Sequence, residues 1–533
     1  MKCDSVILSR FLPSAMLFVA AGLLAYVLGS HLPVEAITGR RSSGLLAYVL
    51  GSNLPDKRIT LRVPVANAEG AGENGGSSPL EKSTLKVSGG KASDLPGAWP
   101  CFRGANHDAI SPDKTTLAES WAAGEPKPVW SVDAGEGYAG AAVIDGRVYL
   151  MDYDRTAQSD SLRCLSLADG NEIWRFSYPL SVKRNHGMSR TVPAVTKSFV
   201  VSLGPKCHVS CLDAVTGKFQ WGIDLVREYG STVPAWYAGQ CPLIDGDRVI
   251  LAPSGSSLMI AVDLATGKVL WKTPNPRDWK MTHVSITPME IAGRKTYVYC
   301  GHRGVAGIAA DDGTLLWETP DWKISIATVS SPVPVPGNRI FLSGGYEAGS
   351  MMLEVGEKDG KFEAKSLFKL DADTFGATQQ TPIFYQDHLY GVRPNGELVC
   401  LDLQGKVLWA SGTGHRFGLG PFIVADGKIL VMNDDGELTM AKASPEGYQE
   451  LAHAKVLDGH DAWGPMAIAG SRLIVRDLTR MVCLDLPTNR AVTGVGQNAR
   501  ATVARAFCPE PLQTKVTSNS TPGVARVLDL GKK

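Results

Sequence analysis

The sequence predicts an all-β fold, namely an eight-bladed β-propeller of four-stranded antiparallel blades. Three observations predict it: a glycine that recurs with a period in the forties, a tryptophan four residues after most of these glycines, and a proline near the start of most repeats. A period of this length, with short apolar runs in every unit, is typical of propellers and solenoids. Helical periodicity is absent from the repeats, which favours the propeller.

The glycine–tryptophan pattern sets the length of the repeat. Steps of 47, 50, 46, 47 and 45 residues separate the glycines Gly170, Gly217, Gly267, Gly313, Gly360 and Gly405. Tryptophans follow all but one of them, at Trp174, Trp221, Trp271, Trp317 and Trp409, whereas Gly360 is followed by Ala364. We expect these rings to fill the gaps between neighbouring blades, where burial of each stabilises the fold by about 2–3 kcal/mol.

One repeat shows how each blade is built. Residues 241–253 consist of two apolar runs around Asp245-Gly246, which is a hairpin signal. Residues 258–264 form a third apolar run, and a turn at 265–268 leads into a fourth at 269–272. Four short antiparallel strands per repeat make one propeller blade.

A proline ladder gives the same phase as the glycine ladder. Proline has no N–H group, so it is tolerated at the first residue of a strand but not inside a sheet. Such prolines occur at Pro193, Pro242, Pro288, Pro332, Pro382, Pro421 and Pro465. The two ladders together place the starts of eight blades near Ala139, Arg190, Gly239, Ser285, Val329, Thr378, Gly418 and Trp463.

The eighth blade lacks a fourth strand of its own. It ends with the third-strand run at 481–486, whereas residues 128–133, upstream of the first blade, look like a fourth strand that carries Trp130. We therefore expect this N-terminal strand to complete the last blade. Such closure joins the two ends of the ring and removes a long open edge.

The segments outside the ring have their own signals. Lys2 and Arg10 precede a 19-residue apolar run at 11–29, so residues 1–30 are expected to be an uncleaved membrane anchor, with a cleaved signal peptide as the alternative. Residues 31–96 are expected to be a flexible linker that contains a short duplicated apolar segment, and residues 97–487 the propeller. Residues 488–533, with seven Lys or Arg and two acids, are expected to be a disordered basic tail.

Charge and cysteine usage exclude some functions. The formal net charge of +1 gives no electrostatic case for binding nucleic acid.

Four cysteines occupy nearly equivalent third-strand positions in different blades, at Cys164, Cys211, Cys400 and Cys483. We therefore expect them to be small buried residues rather than half-cystines. A local disulfide between Cys207 and Cys211 stays open as the alternative. The absence of a Cys-x-x-Cys-His motif excludes covalent c-type haem.

Two repeats carry a family resemblance. Residues 211–221 and 261–271 both follow the pattern Ala/Cys-x-Asp-x-x-Thr-Gly-x-x-x-Trp, which resembles the tryptophan-docking repeat of pyrroloquinoline-quinone (PQQ) propellers. The resemblance covers residues 128–486. The run Trp99-Pro-Cys-Phe-Arg-Gly104 is also similar to the opening of exported bacterial PQQ-like proteins of the planctomycete type.

The resemblance implies two kinds of function. Quinoprotein dehydrogenases of this family hold PQQ over a tryptophan and under a vicinal disulfide, bind calcium through Glu, Asn and Asp, and use an Asp base. The other members are non-catalytic scaffolds such as the lipoprotein of the outer-membrane barrel-assembly machine. This sequence has no Cys-Cys pair, no recognisable Glu, Asn, Asp trio at the blade starts and no long insertions between strands. We therefore expect neither PQQ nor calcium.

The loops that enter the first strands are the candidate ligand-binding region, because they surround one mouth of a propeller's central channel. The candidate side chains are Arg184, His186, Arg190, Gln240, His283, Gln380, His415, Arg416 and Trp463. Such a rim could bind an anionic or sugar-like ligand, but we favour an ordinary hydrated rim. A metal site among His186, His283, His415 and His460 is not expected, since the blade positions spread them around the ring.

These observations leave three functional hypotheses. The favoured one is a non-catalytic, monomeric propeller scaffold, periplasmic or otherwise extracytoplasmic, that is tethered to the inner membrane by its N-terminal segment and mediates protein or envelope interactions. The alternative is a PQQ-dependent alcohol or sugar dehydrogenase, and a weaker one is a carbohydrate-binding propeller.

Overall fold

The computed structural model describes residues 77–489, which contain the whole predicted ring. The predicted anchor, most of the linker and residues 490–533 of the predicted tail lie outside this range. Within it, no helix is long and apolar enough to cross a membrane.

The strands of blades 1 to 4 follow the predicted order. Two strands precede them, β1 (Thr84–Val87) and β2 (Lys127–Asp133). Blade 1 contains β3 (Ala141–Ile144), β4 (Arg147–Asp154), β5 (Ser159–Ser166) and β6 (Glu172–Pro179), and blade 2 contains β7 (Ala194–Val195), β8 (Phe199–Leu203), β9 (His208–Asp213) and β10 (Phe219–Asp224). A short helix, α1 (Leu225–Tyr229), follows blade 2. Blade 3 contains β11 (Leu243–Asp245), β12 (Arg248–Leu251), β13 (Ser257–Asp263) and β14 (Val269–Pro274), and blade 4 contains β15 (Thr287–Ile291), β16 (Arg294–Gly301), β17 (Gly304–Ala309) and β18 (Leu315–Thr319).

Blades 5 to 8 repeat the arrangement. Blade 5 contains β19 (Val333–Val335), β20 (Arg339–Gly344), β21 (Gly349–Lys358) and β22 (Lys361–Leu370), and blade 6 contains β23 (Ile383–Tyr385), β24 (His388–Val392), β25 (Leu398–Leu401) and β26 (Val407–Ala410). Blade 7 contains β27 (Phe422–Ala425), β28 (Lys428–Met432), β29 (Glu437–Lys442) and β30 (Glu450–Lys455). Blade 8 contributes β31 (Ala467–Ala469), β32 (Arg472–Arg476) and β33 (Arg480–Asp485).

The eighth blade is closed by the N-terminal strand, as predicted. β2 pairs antiparallel with β33, and its sheet has the order β2-β33-β32-β31. First strands of adjacent blades, for example β3 and β31, contact one another. The eight blades therefore form a closed ring, and the prediction of an eight-bladed propeller is confirmed.

Strands inside a blade are more buried than the outermost strands. β28 is buried along its whole length, because blades pack on both of its faces. β22, an outermost strand, alternates between exposed and half-buried residues. The core therefore lies between the blades rather than under a single sheet.

Five of the repeated tryptophans contact the next blade: Trp130, Trp174, Trp221, Trp271 and Trp409. The Trp174 ring of blade 1 lies against Gly217 of blade 2, where an added Cβ would stand 2.6 Å from the ring and the φ angle is +73°. Both features require glycine. The Trp174 indole N–H donates to the Val215 carbonyl over 3.1 Å. Trp130, Trp221 and Trp409 donate in the same way to a carbonyl of the next blade.

Blade 5 departs from the ladder. Its outer hairpin is long, and Gly360 lies at the tip between β21 and β22, with no atom within 4 Å of an added Cβ. Phe368, later in β22, takes the place of the missing tryptophan: an added Cβ at Gly405 would lie 2.7 Å from its ring. The interblade gap is filled by an aromatic ring, but not at the position that the spacing indicates.

Regular structure is present before residue 97. Pro79–Lys82 form a 3-10 helix, and β1 pairs antiparallel with the outer strand β6, which makes blade 1 five-stranded. The end of the expected linker is therefore folded, because β1 satisfies the open edge of β6.

The eight cysteines in the described range are free and buried. Cys164, Cys211, Cys400 and Cys483 are each fully inaccessible. They are small core residues, as predicted, and the alternative disulfide between Cys207 and Cys211 is not formed.

Candidate functional site

The segment at residues 97–113, called here the lead-in segment, crosses the end of the channel where the first strands terminate. Trp99 exchanges two 2.8 Å backbone hydrogen bonds with Val143 of β3. Further along, the Pro100 carbonyl accepts from Val195 of β7, and the Ala109 carbonyl accepts from Val424 of β27. The segment is therefore bonded to inner strands of blades 1, 2 and 7, so it obstructs this end of the channel.

Arg103 fixes the middle of the lead-in segment. Its Nε donates to the His107 carbonyl, its Nη1 to the Thr381 carbonyl, and its Nη2 to the carbonyls of Asp108 and Pro382, all over 3.0 Å. All three nitrogens are thus used for backbone carbonyls. Burial lowers the pKa of Arg103 to about 10, so the group stays charged at neutral pH.

A cavity of about 250 Å³ lies between the lead-in segment and the opposite end of the channel, called here the mouth. On the side of the lead-in segment it is lined by Trp99, Phe102, Arg103 and Ala109. On the side of the mouth its large side chains are Tyr138, Trp236, Tyr346 and Trp463. A largely apolar cavity with a few polar groups is the usual form of a ligand site.

Five of the nine predicted rim residues line this cavity: His186, Arg190, His283, Gln380 and Trp463. They come from loops that enter blades 2, 4, 6 and 8. Loops that enter the first strands of different blades therefore contribute these five side chains to one cavity.

The other four predicted residues do not line the cavity. Arg184 is half exposed and pairs with Glu136 at 2.5 Å, and His415 pairs with Glu450 of the outer strand β30 at 3.0 Å. Gln240 is fully buried and bonded to both backbone polar groups of Ala252. Arg416 is also absent from the lining.

Arg190 is the cation of the mouth. Its Nε donates to the Trp236 carbonyl over 2.5 Å, and its Nη2 to the carbonyls of Asn185 and His186 over 3.1 and 2.9 Å. The guanidinium carbon stands 5.2 Å from the centroid of the Tyr138 ring, within range of a cation–π interaction. Burial lowers the pKa of Arg190 to about 10, which leaves it positive at neutral pH.

An aromatic pair extends this wall. The rings of Tyr138 and Trp463 are stacked with centroids 5.2 Å apart. Their polar tips bond to carboxylates outside the lining: the Trp463 N–H donates to Asp434 over 2.7 Å, and the Tyr138 hydroxyl donates to Asp461 over 3.2 Å. Burial raises the pKa of Asp434. Both side chains line the cavity while their polar tips are bonded elsewhere, so they contribute ring carbon atoms rather than polar atoms to the mouth.

Two further lining groups are poorly suited to acid–base or nucleophilic chemistry. Burial, and then the charge of Arg190, lower the pKa of His283 to about 3, so its imidazole is neutral and a weak base at neutral pH. Burial raises the pKa of the Cys241 thiol to about 11, which keeps it protonated.

The side chains present do not fit the calcium-bound PQQ that the family resemblance implies. Neither Asp nor Glu lines the cavity, whereas calcium takes oxygen ligands, carboxylates above all. Within residues 77–489, no group of three His, Cys, Asp or Glu side chains could hold a metal ion. An Asp base is equally missing from the lining.

Several lining residues were not among the predicted candidates. Tyr138 lies in the loop that enters the first strand of blade 1, so the blade phase alone could have included it, whereas Tyr346 lies in the turn between β20 and β21 of blade 5. Trp99, Phe102 and Arg103 belong to the lead-in motif. The motif carries a family resemblance, but nothing in its local sequence indicates that it lies in the channel.

Comparisons with known proteins agree with the repeat type. The PQQ_2 family model, described as "Outer membrane protein assembly factor BamB", matches residues 158–411, just under half of the chain. The predicted resemblance to PQQ-like propellers is thereby confirmed. No curated protein matches the chain.

Solved structures with similarity include scaffolds and enzymes. BamB from Moraxella catarrhalis is 14% identical, with a TM-score of 0.47, covering 68% of this chain and 97% of that one. A europium-containing methanol dehydrogenase is 12% identical, with a TM-score of 0.41 and coverages of 71% and 89%. The quinohemoprotein alcohol dehydrogenase from Comamonas testosteroni is 13% identical, with a TM-score of 0.40 and coverages of 77% and 83%.

Proposed function

We propose that this protein is a non-catalytic propeller scaffold that works outside the cytoplasm, held to the membrane by its N-terminal apolar segment. In this proposal it engages a protein or envelope partner through the mouth of its channel. The observation that carries the proposal is the composition of the cavity lining, which offers aromatic surfaces and one positive mouth residue, Arg190, but no carboxylate.

The same observation weighs against the dehydrogenase alternative. Oxidation of an alcohol by the chemistry of the resembled enzymes requires a carboxylate base and a calcium site, and the lining provides neither. The matching family model, described as that of an outer-membrane assembly factor, supports the scaffold.

Two of the predicted amides give the carbohydrate alternative no support. The Gln380 amide nitrogen already donates to the carbonyls of Gly418 and Gly420, over 2.9 and 3.0 Å. Gln240 is bonded within its own blade. Gln379 also lines the cavity and is the amide that a sugar could use, so the preference for an apolar partner group rests on the aromatic surface of the mouth.

A titration of the full-length chain with PQQ tests the non-catalytic part of the proposal. Calorimetry and tryptophan fluorescence would be recorded with and without calcium, followed by an alcohol and sugar screen with an artificial electron acceptor. We expect no calcium-dependent binding at concentrations up to about 100 µM, which corresponds to a binding free energy weaker than about 5.5 kcal/mol. Micromolar, calcium-dependent binding with turnover would overturn the proposal.

Site-specific photo-crosslinking in cells tests the partner. A photoreactive side chain would replace Trp236 at the mouth or, as a matched control, the exposed Phe219 on the outer strand β10. We expect a discrete adduct from the mouth position and none from the control. Equal adducts from both positions would contradict engagement through the mouth.

A further inference from the structure

Three arginines around the channel bind backbone carbonyls and have no carboxylate within ion-pair distance in the described part of the chain: Arg103, Arg190 and Arg476. Arg103 uses all three of its nitrogens, as described above. Arg476, fully buried near the junction of blades 8 and 1, does the same with the carbonyls of Asp477, Ala139, Gly135 and Leu478. In both, every guanidinium nitrogen donates to at least one carbonyl.

Arg190 differs from these two arginines. Its hydrogen bonds to the rest of the described chain use Nε and Nη2 only, so that Nη1 retains its two N–H donors. The side chain lines the cavity, where no Asp or Glu competes for it. A largely buried cation without a counter-charge is costly to the fold, and a bound anion would offset that cost.

The surroundings of Arg190 define the rest of the ligand. The stacked rings of Tyr138 and Trp463 continue from the guanidinium along one wall. Ile326, Val329 and Phe422 contribute apolar surface elsewhere in the lining. Since the polar tips of the stacked pair are bonded to Asp461 and Asp434, the wall has little to offer a polar ligand body.

We propose that the mouth binds a carboxylate carried on an apolar group, with Arg190 donating to the carboxylate and the apolar group packing against Tyr138 and Trp463. The inference rests on the non-catalytic binding function proposed above and names the chemistry that the mouth recognises. Two sources share this chemistry: a free monocarboxylic acid, and the C-terminal carboxylate of a partner polypeptide that ends in an apolar residue.

The test compares acids with their amides on the full-length, unmodified chain. Hexanoate, hexanamide, phenylacetate and phenylacetamide would be titrated by calorimetry. We expect the acids to bind at least about tenfold more tightly than the amides, because a charge-assisted hydrogen bond contributes about 1.5–3 kcal/mol. Equal affinities, or no binding of either acid at about 10 mM, would overturn the proposal.

A pair of variants locates the site. Arg190→Gln removes the charge and should lower the affinity for the acids to that of the amides. Arg184→Gln is the matched control, because Arg184 belongs to the same loop but lies outside the cavity, and it should leave the affinity unchanged. Acid binding that survives Arg190→Gln overturns the assignment. Should this variant fail to fold, the acid–amide comparison on the unmodified chain decides.

The two sources are separated by peptides. The tripeptide Ala-Ala-Leu would be titrated with a free and with an amidated C-terminus. Tighter binding of the free form than of hexanoate supports a partner's C-terminus, whereas binding of hexanoate alone supports a small acid. The PQQ titration and the acid–amide titration have separate outcomes. Calcium-dependent PQQ binding contradicts the proposed function, whereas equal affinities for acids and amides contradict only the carboxylate inference.

Discussion

The two ends of the channel use the same side chain for opposite purposes. At the lead-in end, Arg103 donates from every nitrogen to backbone carbonyls and joins the lead-in segment to blade 6. At the mouth, Arg190 is held by carbonyls on Nε and Nη2, and its remaining donors belong to a cavity with aromatic walls. An arginine that donates to the backbone from every nitrogen stabilises a fold, whereas one whose Nη1 makes no bond to the described chain is a candidate ligand group.

This difference shows that the two ends of the channel can have separate roles, one structural and one in binding. The lead-in segment fills one end with backbone hydrogen bonds to the inner strands. The loops of the mouth then need only to position Arg190 against Tyr138 and Trp463. If this contrast is correct, substitutions at the lead-in end should cost stability and substitutions at the mouth should cost binding.

The largest expected effect separates two tryptophans. Trp99→Ala removes a ring that is 1% exposed in the lead-in segment and should lower the free energy of unfolding by about 3–5 kcal/mol. Trp236→Ala removes a half-buried ring at the mouth and should cost no more than about 1 kcal/mol. Urea denaturation followed by circular dichroism measures both. Similar losses for the two variants would break the contrast between the ends.

The next effect separates the two arginines. Arg103→Gln leaves several buried carbonyls without their donor and should lower the free energy of unfolding by about 2–4 kcal/mol. Arg190→Gln loses carbonyl contacts from two nitrogens rather than three, and they lie in loops of the mouth, so its loss should be smaller, about 1 kcal/mol. The same denaturation experiment compares them, and a larger loss for Arg190→Gln would contradict the structural role given to Arg103.

A pH dependence sharpens the comparison. Burial and the neighbouring Arg190 hold the pKa of His283 at about 3, below its ordinary value of 6.5. Between pH 6.5 and 3 the unfolded chain binds a proton that the folded chain does not, so stability falls as the pH falls, by up to about 1.4 kcal/mol per pH unit.

His283→Gln should therefore flatten the pH dependence of stability below pH 6.5, as measured by urea midpoints at pH 4.5, 5.5 and 6.5. At the lead-in end, burial and the charge of Arg103 also lower the pKa of His107. His107→Gln should therefore also flatten the curve. An unchanged slope in His283→Gln would show that this imidazole is not held neutral by burial.

The smallest effect belongs to Arg184. Its partly exposed ion pair with Glu136 is screened by solvent, so Arg184→Gln should change the free energy of unfolding by less than about 0.5 kcal/mol. A loss above about 1 kcal/mol would show that the Arg184–Glu136 ion pair, which lies outside the cavity, stabilises the loop that enters blade 2.

Local patterns in the sequence predicted the ring because each blade is specified within its own repeat. The glycine at 217 and the tryptophan at 174 meet across one blade boundary, and that contact recurs with the period of the chain. The same local method missed Phe368, since the lengthened hairpin of blade 5 carries the ring-filling residue away from the expected spacing.

The site was predictable only in its location. Blade phase brings the loops of His186, His283 and Trp463 to one mouth, but side-chain direction is set by neighbours that the repeat does not encode. Gln240 turns into its own blade, and His415 turns outward to Glu450. The lead-in motif was recognisable, but its position in the channel had no local signal, because Arg103 meets Thr381 across 278 residues of sequence.

Hydrogen exchange of the full-length chain, with and without hexanoate, tests the contrast between the two ends most directly. The account predicts that amides bonded in the lead-in contacts, such as Trp99, Val195 and Val424, are protected in the free protein and unchanged by the acid. Peptides covering residues 184–190 and 236–239 should gain protection when the acid binds. Rapid exchange of the lead-in amides in the free protein, or protection by hexanoate at that end instead of the mouth, would contradict the account.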